Sequence, residues 1–153
     1  MPRSRLLLCL AYAATALLAL IATWHQNLSY FQPEEDGRLL GFVYATARFW
    51  GETLITPASV SVTVDLGLFF LAVAAFMVIE ARRLEIRFVW LYIVLGFLVA
   101  ISVTFPLFLI ARERRMVARG DAGADLGLEP SDTIALAVFA AAMAIVSLWT
   151  LGR

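Results

Sequence analysis

Four stretches of the chain are apolar almost without interruption: Leu6 to Trp24, Val60 to Ile79, Phe88 to Ala111 and Thr133 to Leu151. Crossing a hydrocarbon core about 30 Å thick takes about 20 helical residues, so each run predicts one transmembrane helix. The predicted spans are 6–24, 57–80, 88–111 and 133–151. A different pattern fills residues 38–52, RLLGFVYATARFWGE. There Leu39, Phe42, Val43, Phe49 and Trp50 fall near one helical face and Arg38, Ala45, Arg48 and Glu52 near the other, with Arg48 and Glu52 one turn apart and able to pair. This predicts an amphipathic helix, either lying in the membrane interface or packed on the bundle. The expected fold is all-α: a single membrane domain over residues 1–153, with four transmembrane helices and an interfacial helix between the first two.

Local signals refine these spans. Thr56 before Pro57 offers an N-cap hydroxyl and a proline at the first helical position. Ser131 or Asp132 is placed to cap the last helix, whose alanine-rich run lets neighbouring helices approach closely in lipid. The connection EARRLEIR is so short that helices two and three are expected to be antiparallel neighbours. Counting equal distances from that turn sets Asp65 level with Thr104 to Pro106, so Ser102 and Thr104 are its expected hydrogen-bond partners. Pro106 is expected to bend helix three and free the carbonyl of Ser102.

Composition supports membrane insertion and removes several functions. The chain is 62% apolar with a mean hydropathy of +0.86, far above the roughly half-apolar norm of soluble domains. Its net charge is zero, and all twelve basic residues are arginine. Without lysine there is no Schiff base to retinal or pyridoxal phosphate and no phosphate-loop lysine. One cysteine, Cys9, forms no internal disulfide. The one histidine, His25, is about 24 Å from Cys9 along the same helix, which excludes a shared metal site. With Trp24 and Tyr30, His25 reads as part of an aromatic belt. No metal or cofactor is predicted, and no basic surface is broad enough for nucleic acid. Arg3 and Arg5 before an apolar run imitate a signal peptide, but the run exceeds the usual 7 to 15 residue core. A retained helix is expected.

Orientation is balanced. The amino-terminal tail, second loop and carboxyl-terminal tail carry six arginines and the other two loops carry six. The first helix usually dominates, so Arg3 and Arg5 favour both termini in the cytoplasm, which would set Arg112 to Arg119 outside, against the rule.

The residues TPASVSVTVDL, EARRLEIR and AISVTFPLFLIARERR together resemble a family of short bacterial multi-pass membrane proteins known only as a domain of unknown function. The resemblance runs from about Phe49 to Arg115 and is carried by Asp65, Glu80, Arg82, Arg83, Pro106, Arg112 and Glu113. It implies a bacterial inner-membrane location and carries no activity.

The polar residues inside the spans are the candidate site. An aspartate at the bilayer centre costs about 2.5 to 3.5 kcal/mol, so it normally faces a partner or a wet cavity. Asp65 either pins helix two to helix three, through Ser61, Ser102, Thr104 or Arg112, or it carries protons, acts as an acid or anchors a polar ligand head. Glu80, Arg82 and Arg83 read as an interfacial anchor or as a lipid-headgroup site. Two functions follow from these residues. One is a non-catalytic module that binds a lipid or pigment, or serves as accessory subunit to a membrane-protein partner. The other is a small enzyme or carrier for an isoprenoid-like substrate, with Asp65 as the acid. No second carboxylate lies at the depth of Asp65, which favours the first.

Overall fold

A computed structural model describes residues 1–31, 40–121, 123 and 126–152. Among them the elements are α1 (Arg3–Asn27), a single 3-10 turn (Leu28–Tyr30), α2 (Gly41–Glu52), α3 (Pro57–Leu84), α4 (Val89–Leu98), α5 (Ile101–Arg119) and α6 (Pro130–Leu151). Three stretches are long and apolar enough to cross a membrane: Arg3–Tyr30, Pro57–Leu84 and Pro130–Leu151.

The third apolar run does not form one continuous helix. It is divided between α4 and α5 by Val99 and Ala100, the latter fully extended at φ −180°, ψ 137°. Helix α4 has 10 residues and is about 15 Å long, half of the hydrocarbon thickness. The chain then turns back. Tyr92 meets Phe108 edge-on at 5.8 Å, and Gly96 lies against Thr104, so α4 and α5 form an antiparallel hairpin. Phe76 faces Phe105 and Glu80 binds Arg112, so α5 runs parallel to α3. The expected antiparallel pairing of α3 holds only for the short α4.

Gly96 makes the fold-back possible. A Cβ there would stand 2.8 Å from Thr104 Oγ1, 3.1 Å from Phe70 and 3.2 Å from Ile101. Gly96→Ala is therefore expected to destabilise by about 1–3 kcal/mol, the usual cost of overpacking, read as a lower thermal midpoint in detergent. Pro106 does not make the break; it sits inside α5, which continues past it.

The core lies where α3, α4 and α5 meet. Met77 and Phe108 are fully buried there, with Val73, Ala81, Val89, Ile93 and Ile101 around them. Helix α1 packs along α5, burying Cys9 and Ala16 two turns apart. Helix α6 leans on α1, buries no residue of its own, and runs parallel to it, because Gln26 Nε2 donates to the Thr150 carbonyl at 3.0 Å. The start of α1 and the end of α6 therefore lie at opposite ends of the bundle. In the expected four-helix arrangement both would lie at one end; the difference comes from the α4–α5 hairpin, which returns the chain to the end it left.

The caps follow local chemistry. Thr56 Oγ1 accepts from Ser59 N and Ser59 Oγ accepts from Thr56 N, each at 3.1 Å, with Pro57 next to the cap. Helix α6 has its cap at Glu129, just before the expected Ser131 or Asp132, and Asp132 takes part by accepting from the Glu129 backbone N–H at 3.0 Å.

The amphipathic segment is helical from Gly41; Arg38 and Leu39 lie outside the described residues. It packs on the bundle through Phe49, edge-on to Tyr30, and Trp50, stacked on Phe97 at 5.6 Å, while Phe42, Val43 and Tyr44 stay exposed. Ala45 is buried rather than on an outer polar face. Glu52 accepts from the Tyr30 hydroxyl at 2.6 Å.

Candidate functional site

Fold-back of α5 brings charges from three helices together at one end of the bundle. Glu80, at the end of α3, accepts from Arg83 through both carboxylate oxygens, at 2.6 and 2.7 Å, and from Arg112 Nε of α5 at 2.6 Å. Arg112 continues to Glu113 at 2.9 Å, and Glu113 accepts from Arg5 of α1 at 2.6 Å. The result is an unbroken line Arg5–Glu113–Arg112–Glu80–Arg83. Glu113 is 2% exposed and Glu80 7%, so both acids are buried against their guanidinium partners. Arg119 extends the line, donating to the Arg83 carbonyl at 2.8 Å and pairing with Glu85 at 2.9 Å. Buried charges are tolerable only when paired and hydrogen-bonded this way. The arrangement is a clasp between α1, α3 and α5.

Of the residues singled out in the sequence, Glu80, Arg83 and Arg112 are in the clasp. Arg82 is exposed and outside it. Arg5 was read only as a topology signal and Glu113 only as part of the family resemblance. Their pairing follows from the reversal of the chain at Ala100.

Asp65 is not a clasp. It is exposed on α3 and makes no hydrogen bond or ion pair among the described residues. The expected contacts with Ser102 and Thr104 required α3 and a full-length antiparallel third helix; with α5 parallel to α3, that register does not exist. Thr104 is 4% exposed with its hydroxyl buried beside Gly96 and unpaired, and Ser102 is exposed at the first turn of α5. Removing the charge should therefore cost nothing within this chain. Asp65→Leu is expected to accumulate in the membrane at least as well as Asp65→Asn and the parent chain, measured by quantitative immunoblotting; lower abundance of the leucine variant would reveal a polar partner outside this chain.

Above the hairpin tip, because α4 stops halfway, the bundle forms a partly open cavity of about 1190 Å³. Its walls are the last turns of α1 from Ala22 to Asn27, Thr63 to Phe70 of α3, and Trp149 and Thr150 of α6. Helix α2 closes it with Phe42, Ala45, Phe49 and Trp50, and residues 96–102 form the floor. Several lining polar groups are already used. Thr23, Thr46 and Thr63 donate to the carbonyls of Ala19, Phe42 and Thr53, and Gln26 to Thr150. What remains is mainly aromatic and aliphatic surface. Irregular backbone at membrane depth is tolerated where protein covers it or where it lines a cavity, and the 99–100 turn lines this one. Asp65 does not; Thr63, Leu66, Gly67 and Phe70 form the cavity face of α3, and Asp65 projects from the other side of the helix.

A family profile described as a protein of unknown function, DUF2834, matches residues 11–114. The chain belongs to this family. The match includes most of α1, all of α2, α3 and α4, and α5 as far as Arg114, so it takes in the cavity floor and Glu80, Arg83, Arg112 and Glu113 of the clasp. Arg5 and α6 lie outside it. No curated protein and no solved structure matches the chain.

Proposed function

We propose that this protein is a non-catalytic membrane module that holds a lipophilic molecule, a lipid tail or an isoprenoid-like chain, in the cavity above the hairpin. The observation that carries this reading is the cavity itself. Its volume exceeds that of ordinary ligand sites, about 300–1,000 Å³, and its lining is dominated by aromatic and aliphatic side chains. The clasp serves the same end by holding α1, α3 and α5 together below the floor, while α2 closes the top through the Trp50–Phe97 stack. An acid catalyst at Asp65 finds no support, because that carboxylate lies on the far side of α3 from the large apolar cavity. The location that fits is a bacterial inner membrane, with the clasp end in the cytoplasm.

Gly67 provides the test. It lines the cavity, and a Cβ added there meets nothing within 4 Å. Gly67→Trp should fill the space without displacing backbone. The expected result is a variant that keeps its thermal midpoint but loses most of the lipophile that co-purifies with the parent chain, measured by native mass spectrometry and solvent extraction. Equal lipophile content in both proteins would remove the cavity as the binding site.

A further inference from the structure

The opposite end of the molecule carries a second, smaller cavity, about 500 Å³, formed where α3 turns into α4 and lined by Arg82, Glu85, Arg87, Phe88 and Trp90 among others. We propose that it binds the phosphate of an anionic membrane lipid headgroup. Most arginines around it are already spent: Arg83 and Arg112 on Glu80, and Arg119 on Glu85. Arg82 and Arg87 are the exceptions. Both line the cavity and neither has a hydrogen-bond or ion-pair partner among the described residues. The one acid in the lining, Glu85, is held by Arg119. Two exposed, unpartnered arginines lining one open depression whose acid is engaged elsewhere complement a phosphate, which arginine binds in charge-assisted, often bidentate geometry.

The backbone holds this geometry in one shape. Glu85 and Phe88 both adopt the left-handed region, at φ 54° and 62°, which non-glycine residues rarely occupy. The turn therefore sets Arg82, on the last helical turn of α3, and Arg87, in the loop, around one space. Helix α4 begins at the same place without a side-chain cap, so its positive end adds to the field. A lipid fits better than a soluble anion because Phe88 and Trp90 line the same cavity and are 76% and 60% exposed, an apolar surface suited to acyl chains. This site is separate from the large cavity and stands whether or not that one holds a lipophile.

The test uses the full-length protein in detergent and native mass spectrometry with added phosphatidylglycerol or phosphatidylcholine of identical chains. Phosphatidylglycerol should bind preferentially, and the double variant Arg82→Gln/Arg87→Gln should weaken that binding by about tenfold or more, the scale of losing charge-assisted hydrogen bonds. Arg114→Gln, an exposed position on α5 outside the cavity, should leave it unchanged. Arg87→Gln alone, in the loop and outside every helix, should give a smaller loss with folding intact if the double variant does not fold. An unchanged affinity in these variants, an equal loss in Arg114→Gln, or complete displacement of the lipid by millimolar inorganic phosphate would overturn the proposal.

Discussion

Glu113→Ala is expected to be the most damaging single substitution in the chain, lowering stability by about 3–5 kcal/mol, the cost of breaking a buried ion pair from one side. Glu113 is 2% exposed and receives both Arg5 and Arg112, whose side chains are only 11% and 23% exposed. Its removal leaves Arg5 uncompensated on α1 and costs Arg112 one of its two acids. The double variant Arg5→Met/Glu113→Leu should recover most of the loss. It replaces a buried pair with apolar groups of similar volume, often a neutral exchange, and leaves Arg112–Glu80–Arg83 intact. Thermal unfolding of the three proteins in one detergent is the measurement. A double variant no better than Glu113→Ala would mean that the buried pair supports the fold by something other than charge compensation.

Reporters fused before Met1 and after residue 153 should give opposite signals, cytoplasmic at the amino terminus and extracytoplasmic at the carboxyl terminus. The sequence divided the arginines evenly between the two sides because it assumed four crossings. With α4 and α5 returning to the side they left, Arg3, Arg5, Arg82, Arg83, Arg87, Arg112, Arg114, Arg115 and Arg119 share the clasp end, whereas Arg48 is at the other end and Arg38 and Arg153 lie outside the described residues. Nine arginines at one end make a clear cytoplasmic bias under the positive-inside rule. The cytoplasmic leaflet is also where anionic lipids concentrate, which agrees with a phosphate site between Arg82 and Arg87. Two cytoplasmic reporters would require a fourth crossing and would exclude the hairpin as it stands.

Much of this site was written in the sequence in a form that composition could not decode. Pro106 was expected to bend helix three, and it lies inside α5, which continues past it. Nothing comparable marks Val99 and Ala100, which are ordinary apolar residues. The usable signal was indirect. Arg112 to Arg119 emerging on the wrong side of the membrane was a conflict with the charge rule, and shortening the third run resolves it. Asp65 misled for the same reason, since its expected partners were found by counting along a helix that turns back before reaching that depth.

What the sequence determined by itself is what depends on neighbouring residues alone: the first, second and last long helices, each apolar enough to cross a membrane, the Thr56 cap and the lack of any lysine. These follow from local hydropathy and capping, where each residue acts on its near neighbours. Tertiary structure decided the rest. Whether a run of 24 apolar residues crosses the bilayer or doubles back depends on what its end can bind. Here Arg112 and Glu113 find Glu80 and Arg5 only if the chain returns, and Gly96 leaves the space for it to do so. The same reversal creates the cavity above the tip, because a helix that stops halfway leaves the space beyond it unfilled, and it returns Arg112 and Glu113 to the end that holds Glu80 and Arg5.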